Sequence, residues 1–417
     1  MPGRRIAVIG GGISGLTAGY VLSRSDQVTL FEADGRLGGH ADTHLMPGGV
    51  PVDTGFIVYN ERTYPLLTRL FGELGVATRA SEMSMSVSCA GCGLRYAGRR
   101  GLGGLAAGLT GGGRRYLGLL GEVPRFHRAA RRLLADGAPD GLTFGQFLTG
   151  GGFTRFFRDH FAVPLVAAVW SCPPGAAAGY PAGYLFRFLA NHGMLSVSGS
   201  PRWRTVAGGS RSYVRRAAEP MARVRAGVPV RSVRRYPDGA DVILASGEVQ
   251  DFDAVVIATH PDQALRLLAA PTAAEQEILG TFSYLPNPAV LHTDTRLLPA
   301  SSRVRASWNY QVAGCLGGQE RERVSISYHA NRLQGLPSET DYIVTLGGDG
   351  AVSPERVIAR MDYAHPSYTP AVLAAQRRLP KLNTGVTAFA GAYHGWGFHE
   401  DGCRSGVQAA TALGGSW

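Results

Sequence analysis

Apolar side chains run unbroken from Ile6 to Ile9, a pattern that suits a short strand buried on both faces of a parallel sheet. After a glycine-rich turn, Leu16 to Leu22 reads as an amphipathic helix. Val28 to Phe31 reads as a second buried strand, closed by Glu32. Val50 to Asp53 predicts a strand and Thr54-Gly55-Phe56 a loop. From Thr63, with Pro65 just inside, a helix runs to Leu74 and stops at Gly75. Ser84 to Ala97 reads as a hairpin and Thr143 to Trp170 as mostly helix. Arg231 to Ala245 alternates as a second hairpin, and Asp253 to Pro261 is a buried strand ending in a small-residue turn. Further strands are expected at Ala289–Thr293, Val304–Tyr310, Ser325–His329 and Tyr342–Leu346, with a turn at Gly347–Gly350. Thr387 to Gly391 is a last strand. An aromatic loop, Ala392 to His399, follows it, and Glu400-Asp-Gly402 opens a final helix.

The first of these units carries chemistry. Gly10, Gly12 and Gly15 form G-x-G-x-x-G between a strand and a helix, which brings backbone N–H groups and a helix N-terminus against a pyrophosphate. Glu32 follows about 20 residues on, where a carboxylate accepts from both hydroxyls of a ribose. In a chain with 58 glycines the triplet alone is weak, and an NAD unit or glycine-rich noise is the bland alternative. The order strand, glycines, helix, strand, acid makes it specific, and it continues as E-x-x-x-R-x-G-G from Glu32 through Arg36 to Gly38 and Gly39.

Composition adds bounds. A chain of 417 residues can hold two domains, and its ordinary apolar content excludes wholesale disorder. The formal charge is +11, yet Lys381 is the single lysine and the arginines are scattered. Nucleic-acid binders usually cluster both types, so no nucleic-acid partner is expected. The arginines concentrate modestly between Arg99 and Arg132. A solvated helical face is the simpler reading, and a basic rim meeting anionic lipid headgroups is the functional one. Five cysteines do not suggest a disulfide framework. Cys89-Ala-Gly-Cys92 sits at a hairpin turn, but no second C-x-x-C or C-x-x-H accompanies it, so a plain turn and no metal are expected. Phe161 to Phe186 lacks charge, but its prolines break any continuous span. A cytoplasmic protein, free or membrane-peripheral, is expected. The aromatics from Phe144 to Phe188 read first as core, with some available to line an apolar pocket.

The glycine fingerprint with its E-x-x-x-R-x-G-G extension resembles the flavin amine oxidase superfamily, which includes monoamine oxidases, protoporphyrinogen oxidase and phytoene desaturase. The stretches VDTGFIVYNERTYP, FRDHFAVPLVAAVWSCPP, WRTVAGGSRSYV, DAVVIATHPDQAL, SWNYQV, NRLQGL, MDYAHP and GAYHGWGFHEDGCRSG resemble one branch of it, labelled predicted NAD/FAD-binding proteins. The resemblance implies an α/β fold: a Rossmann-type FAD-binding domain of the GR2-like kind, assembled from residues 1–62, 196–282 and 381–417. A mixed α+β substrate domain would comprise residues 63–195 and 283–380. It implies FAD contacts at Gly10, Gly12, Ser14, Gly15, Glu32, Arg36, Gly38, Gly39, Thr54, Gly55 and Phe56. Further contacts are implied at Val230, which would end a strand Val228–Val230 and meet the adenine, and at Thr259, Gly391, Phe398, Asp401 and Gly402. Many members carry an acid just after the strand glycine, where this chain has Ala392. The final helix would aim its N-terminus at the flavin pyrimidine.

The same resemblance implies hydride transfer from a substrate carbon to flavin N5. Amine oxidases of the superfamily often place a lysine near N5, and Lys381 does not match that position. The expectation is therefore desaturation or double-bond rearrangement of an apolar fatty-acyl or polyene substrate, with oxygen or a quinone as acceptor where oxidation is net. An amine oxidase giving imine and hydrogen peroxide, and a non-catalytic flavin-binding or lipid-handling partner, remain alternatives. His40, Tyr59, Tyr393, His394, Trp396 and His399 are the candidate groups near the ring. His399 leads, because Glu400 beside it could set its tautomer.

Overall fold

A computed structural model describes residues 3–98, 100–170, 172, 174–196, 199–312, 314–315, 324–347 and 350–417. At its centre lies a five-stranded parallel sheet in the order Arg223–Ala226, Gln27–Glu32, Arg5–Ile9, Ala254–Ile257, Thr387–Phe389. Ile6 to Val8 and Ala254 to Ile257 are wholly buried, as their unbroken apolar runs require. Three of these strands are far apart in sequence, so the sheet is assembled from separated stretches of chain. The helix Ile13–Leu22 covers one face and packs against the C-terminal helix His399–Ala412. The two helices approach closely because Gly402 has no side chain: a Cβ there would lie 2.6 Å from Ile13 Cγ2.

The edge strand Arg223–Ala226 departs from expectation. The sequence reading puts the strand at Val228–Val230; instead Val228 lies in the connection and Val230 opens the next strand, Val230–Tyr236. Arg223, Val224 and Ala226 are exposed, so although arginine and apolar residues alternate over its four positions, this edge strand buries no apolar face. The Arg231–Ala245 hairpin forms, within a three-stranded antiparallel sheet completed by Val249–Phe252.

A second sheet has seven strands, ordered Val357–Pro366, Tyr284–His292, Ile343–Leu346, Val324–His329, Trp308–Val312, Met85–Cys89, Arg95–Gly98. All its pairings are antiparallel except Trp308–Val312 with Met85–Cys89. The strand expected at Val304–Tyr310 begins only at Trp308. Val357–Pro366 is absent from the expectations, although Val357, Ala359, Met361 and Tyr363 alternate with Ile358, Arg360 and Asp362 along it. The turn read at Gly347–Gly350 includes residues outside those described.

Helices from Gly101 to Asn191 form a layer against this sheet. The run Gly101–Asp136 bends at Gly113, whose φ of 51° no ordinary side chain adopts readily. Phe126 anchors the layer, in ring contact with Phe144, Phe147, Phe153, Phe157, Phe161 and Phe186. Most of the aromatic run is therefore core. Arg114, Arg115, Arg128, Arg131 and Arg132 are exposed along the long run. No helix among the described residues is long and apolar enough to cross a membrane.

The Cys89–Cys92 turn is more than a plain one. Folding brings His160 and Cys315 to it, and the four ligand atoms lie within 4.8 Å of one another. The sequence shows no partner for the C-x-x-C because these residues come from remote segments that no local motif announces.

Candidate functional site

A cavity of about 1340 Å³ opens at the C-terminal ends of the parallel strands. Pockets for one drug-sized molecule span about 300–1,000 Å³, so this space suits a long cofactor together with a second molecule. Its wall gathers Gly10, Gly12, Ser14, Glu32, Arg36, Gly38, Gly39, Thr54, Gly55, Phe56, Val230, Thr259, Gly391 and Phe398 from across the chain. His40, Tyr393, Trp396 and His399 line it too.

At the glycine turn the helix Ile13–Leu22 begins at Gly12 with no side-chain cap and no acid in its first turn. Its leading N–H groups are thus available to an anion, and the helix dipole favours one. A Cβ at Gly12 would meet nothing within 4 Å, whereas one at Gly15 would lie 1.9 Å from the Gly10 carbonyl oxygen. Gly12 keeps the cradle open, and Gly15 sits behind it and lets the turn close. Glu32 is fixed by two backbone donors, Gly11 N–H at 2.6 Å and Asp34 N–H at 2.9 Å. Each carboxylate oxygen keeps acceptor capacity for a diol. Arg36 is held by the Gly39 carbonyl at 3.0 Å and Asp42 at 3.2 Å.

Sequence reasoning missed the scaffold beneath Thr54. Buried Asp53 accepts from Ser210 N–H at 2.9 Å, Ser210 Oγ at 2.7 Å and Thr43 Oγ1 at 2.5 Å. Gln334 bonds both the Asp53 N–H and its carbonyl, each at 2.9 Å. Burial pushes the Asp53 carboxyl up to about 6 against those donors. Tyr363, from the unforeseen strand, bonds Thr54 at 2.7 Å and Asp42 at 3.1 Å, and its ring stacks on His40 at 5.0 Å. Period-two alternation was the signal that could have found that strand.

The aromatic loop 392–399 is arranged differently from expectation. Glu400 turns away from His399 and accepts from the N–H groups of Leu66 and Leu67 at 3.1 and 3.0 Å, capping the helix Pro65–Glu73. His399 instead pairs with Tyr213 Oη at 3.0 Å and stacks on Phe56 at 3.7 Å. Asp401 and Gly402 do not line the cavity. The Asp401 carboxylate binds Phe398 N–H at 3.1 Å and Arg404 at 2.7 Å, so it braces the loop from behind and occupies the final helix's N-terminus. Burial drives His399 down to about 3 and His394 to about 4. Burial and neighbouring histidines hold His40 well below its usual value. These imidazoles are neutral at pH 7, and the buried Nε2 of His40 and Nε1 of Trp396 have no partner among the described residues. Tyr59 packs on Phe71 and Tyr64, and neither it nor His394 lines the cavity.

Beyond the loop the wall becomes apolar: Val58, Met83, Val169, Trp170, Phe188, Met194, Trp308, Leu333, Leu346 and Met361. Lys381 is exposed in a short helical turn and does not reach it. The lining acids are Glu32, Asp34, Asp42 and Asp362, of which Asp42 is engaged by Arg36, His44 and Tyr363.

The family model described as flavin containing amine oxidoreductase matches residues 13–345. A stretch of 75 residues is 44% identical to protoporphyrinogen oxidase 2 of Arabidopsis thaliana, covering 18% of this chain and 14% of that protein. Coproporphyrinogen III oxidase of Mycobacterium leprae is 43% identical over 83 residues, 19% of this chain and 18% of that one. These matches thus span less than a fifth of the curated relatives. Among solved structures, a triple mutant of putrescine oxidase superposes with a TM-score of 0.71 at 18% identity, covering 98% of both chains. A CLA-producing fatty acid isomerase from P. acnes superposes at 0.68 with 16% identity, covering 97% of both. Likeness at that identity speaks to the mixed α/β fold. The fold, the cavity and the extent of the family match agree: the chain belongs to the flavin-containing amine oxidoreductases, a family of FAD-dependent oxidoreductases.

Proposed function

We propose that this oxidoreductase acts on a carbon–hydrogen bond of an apolar fatty-acyl or polyene molecule, giving desaturation or double-bond rearrangement. The observation that carries the reading is the apolar wall beyond the aromatic loop, which has no lysine; of the lining acids, Asp42 is already paired and Asp362 is exposed. An alkylammonium would enter that space without a buried, unpaired carboxylate to meet it, whereas a hydrocarbon chain gains about 25 cal/mol per Å² of apolar surface buried.

The remaining assignments follow from the same reading. The parallel sheet with its glycine turn is a Rossmann-type half, and together with the C-terminal segment it forms the cofactor domain. The first-turn amides of Ile13–Leu22 hold the pyrophosphate, Glu32 the adenosine ribose, and Val230 and Thr259 flank the adenosine. Gly38, Gly39, Gly55, Phe56, Gly391 and Phe398 enclose the rest. FAD supplies the hydride acceptor when bound. The chain's own part is to orient the substrate, exclude water with Trp170, Phe188 and Met361, and keep His40 and His399 neutral. A neutral imidazole is the form able to take the proton that desaturation releases with the hydride, whereas rearrangement returns the hydride to another carbon and needs no such base. Leu102, Leu105, Leu109, Leu117 and Leu120 are exposed beside Arg114 and Arg115, which supports contact with an anionic lipid surface as the route of supply.

Incubation with a panel of unsaturated fatty acids, polyenes and primary amines, followed by mass spectrometry, tests the proposal. Loss of two hydrogens, or an unchanged mass with a moved double bond, is the expected product. Aldehyde and hydrogen peroxide from amines alone would establish the amine oxidase reading instead.

A further inference from the structure

The Cys89–Cys92 turn lies at the end of the seven-stranded sheet, and nothing in the cofactor cavity uses it. Three segments converge there. Cys89 ends the strand Met85–Cys89, and Cys315 follows the neighbouring parallel strand Trp308–Val312, with Val312 in register beside Cys89. The Ala90 N–H donates to the Val312 carbonyl at 2.9 Å, which ties the turn to the second strand. Gly91 has no side chain to keep them apart: a Cβ there would lie 3.0 Å from the Cys315 nitrogen. His160 arrives from the helical layer, inside a single π-helical turn, Arg158–Ala162, a deviation frequent at functional sites.

The ligand atoms are disposed as a metal requires. All four lie within 4.8 Å of one another, and His160 Nε2 is 3.4 Å from Cys92 Sγ. A tetrahedral zinc with bonds of about 2.0–2.3 Å separates its ligand atoms by about 3.4–3.8 Å, so a small contraction closes the set. The histidine is already in the correct tautomer. Its Nδ1 lies 2.9 Å from the Phe156 carbonyl, to which it donates, leaving the Nε2 lone pair for the metal. Its ring packs at a tilt against Phe156, centroids 4.3 Å apart, and Tyr96 Oη donates to the His160 carbonyl at 2.7 Å. The turn itself is shaped for thiolates. Cys89 N–H donates to the Leu94 carbonyl at 2.9 Å, and Gly93, at φ 74°, lets the Leu94 N–H turn back to the Cys92 sulfur. Cys89, Cys315 and His160 are buried, while Cys92 is half-buried and leaves a path for entry.

We infer that Cys89, Cys92, His160 and Cys315 bind one structural zinc ion, pinning the helical layer to the edge of the seven-stranded sheet. Three thiolates and one imidazole in a closed tetrahedral set are typical of structural zinc and leave no open position for substrate. An odd set of three thiols with an oriented imidazole is not accounted for by a single disulfide. The helical segment that carries His160 continues into Ala168, Val169 and Trp170 of the cavity wall, so the ion would brace the apolar end of the pocket.

The test is elemental analysis of the untagged, flavin-loaded protein purified from zinc-supplemented cells, with X-ray absorption at the zinc edge. The expected result is one zinc per chain in a shell of three sulfurs and one nitrogen. Cys89, Cys92 and Cys315 should resist a thiol reagent until a chelator removes the ion, whereas buried Cys403 should not respond to the chelator. His160→Ala should lose the zinc and His160→Cys should keep it. The paired variants separate loss of a ligand from failure to fold, and the wild-type measurement needs neither. Protein that carries no metal, that carries iron instead, or that shows a Cys89–Cys92 disulfide would overturn the inference.

Discussion

Replacing Gly12 by alanine separates the cradle from the fold. At φ −74° and ψ 178° the Gly12 backbone suits any residue, and the added methyl would meet no atom within 4 Å. The apoprotein should therefore keep its stability to within about 1 kcal/mol, since alanine is a slightly poorer cap but lowers the entropy of the unfolded chain. The methyl projects where the pyrophosphate must approach the uncapped amides. Losing one or two charge-assisted hydrogen bonds costs about 3 kcal/mol, or roughly a hundredfold in Kd. Gly15→Ala is the contrast: its methyl would overlap the Gly10 carbonyl at 1.9 Å, so that variant should unfold at lower temperature even without cofactor. Thermal unfolding of the stripped proteins and titration with FAD by flavin fluorescence read the two effects separately. Wild-type affinity in Gly12→Ala, or a collapsed apoprotein, would refute the placement of the pyrophosphate at this turn.

Phe126→Ala should destabilise by about 3–5 kcal/mol in denaturant melts, because one ring joins six others at the centre of the helical layer. Asp53 has a folded-state carboxyl near 6, above the usual unfolded value, so its protonated form favours the fold: the contribution is complete below about pH 4 and lost as pH rises through 6. Stability of the wild type relative to Asp53→Asn should therefore rise by up to about 3 kcal/mol between pH 7 and 4; a flat difference would contradict the burial argument. Lys381→Ala should leave both flavin reduction and product unchanged, because Lys381 lies outside the cavity; a large loss of turnover would show that this lysine serves the site after all.

The parts of the site written as local pattern were legible in the chain. Gly10, Gly12 and Glu32 stand within one strand–helix–strand unit, and the aromatic loop follows a buried strand, so spacing alone brought them to one wall. Residues whose roles depend on distant encounters were not legible. Glu400 was read with its sequence neighbour His399, yet its carboxylate caps a helix from the other end of the chain. Asp401 faces Arg404 and the loop amides, a choice set by how the final helix packs. The edge strand Arg223–Ala226 alternates over only four residues, and with Val224 and Ala226 exposed the pattern marks no buried face. His160 and Cys315 complete a C-x-x-C only after the sheet and the helical layer meet.

The most direct test of the central claim is an anaerobic visible titration of the purified flavoprotein, first with unsaturated fatty acids and polyenes and then with primary amines. The account predicts bleaching of the flavin bands by an apolar chain, or a redistributed double bond with the bands intact, and no bleaching by amines. Rapid bleaching by a simple amine, with every lipid inert in both spectrum and product, would contradict it.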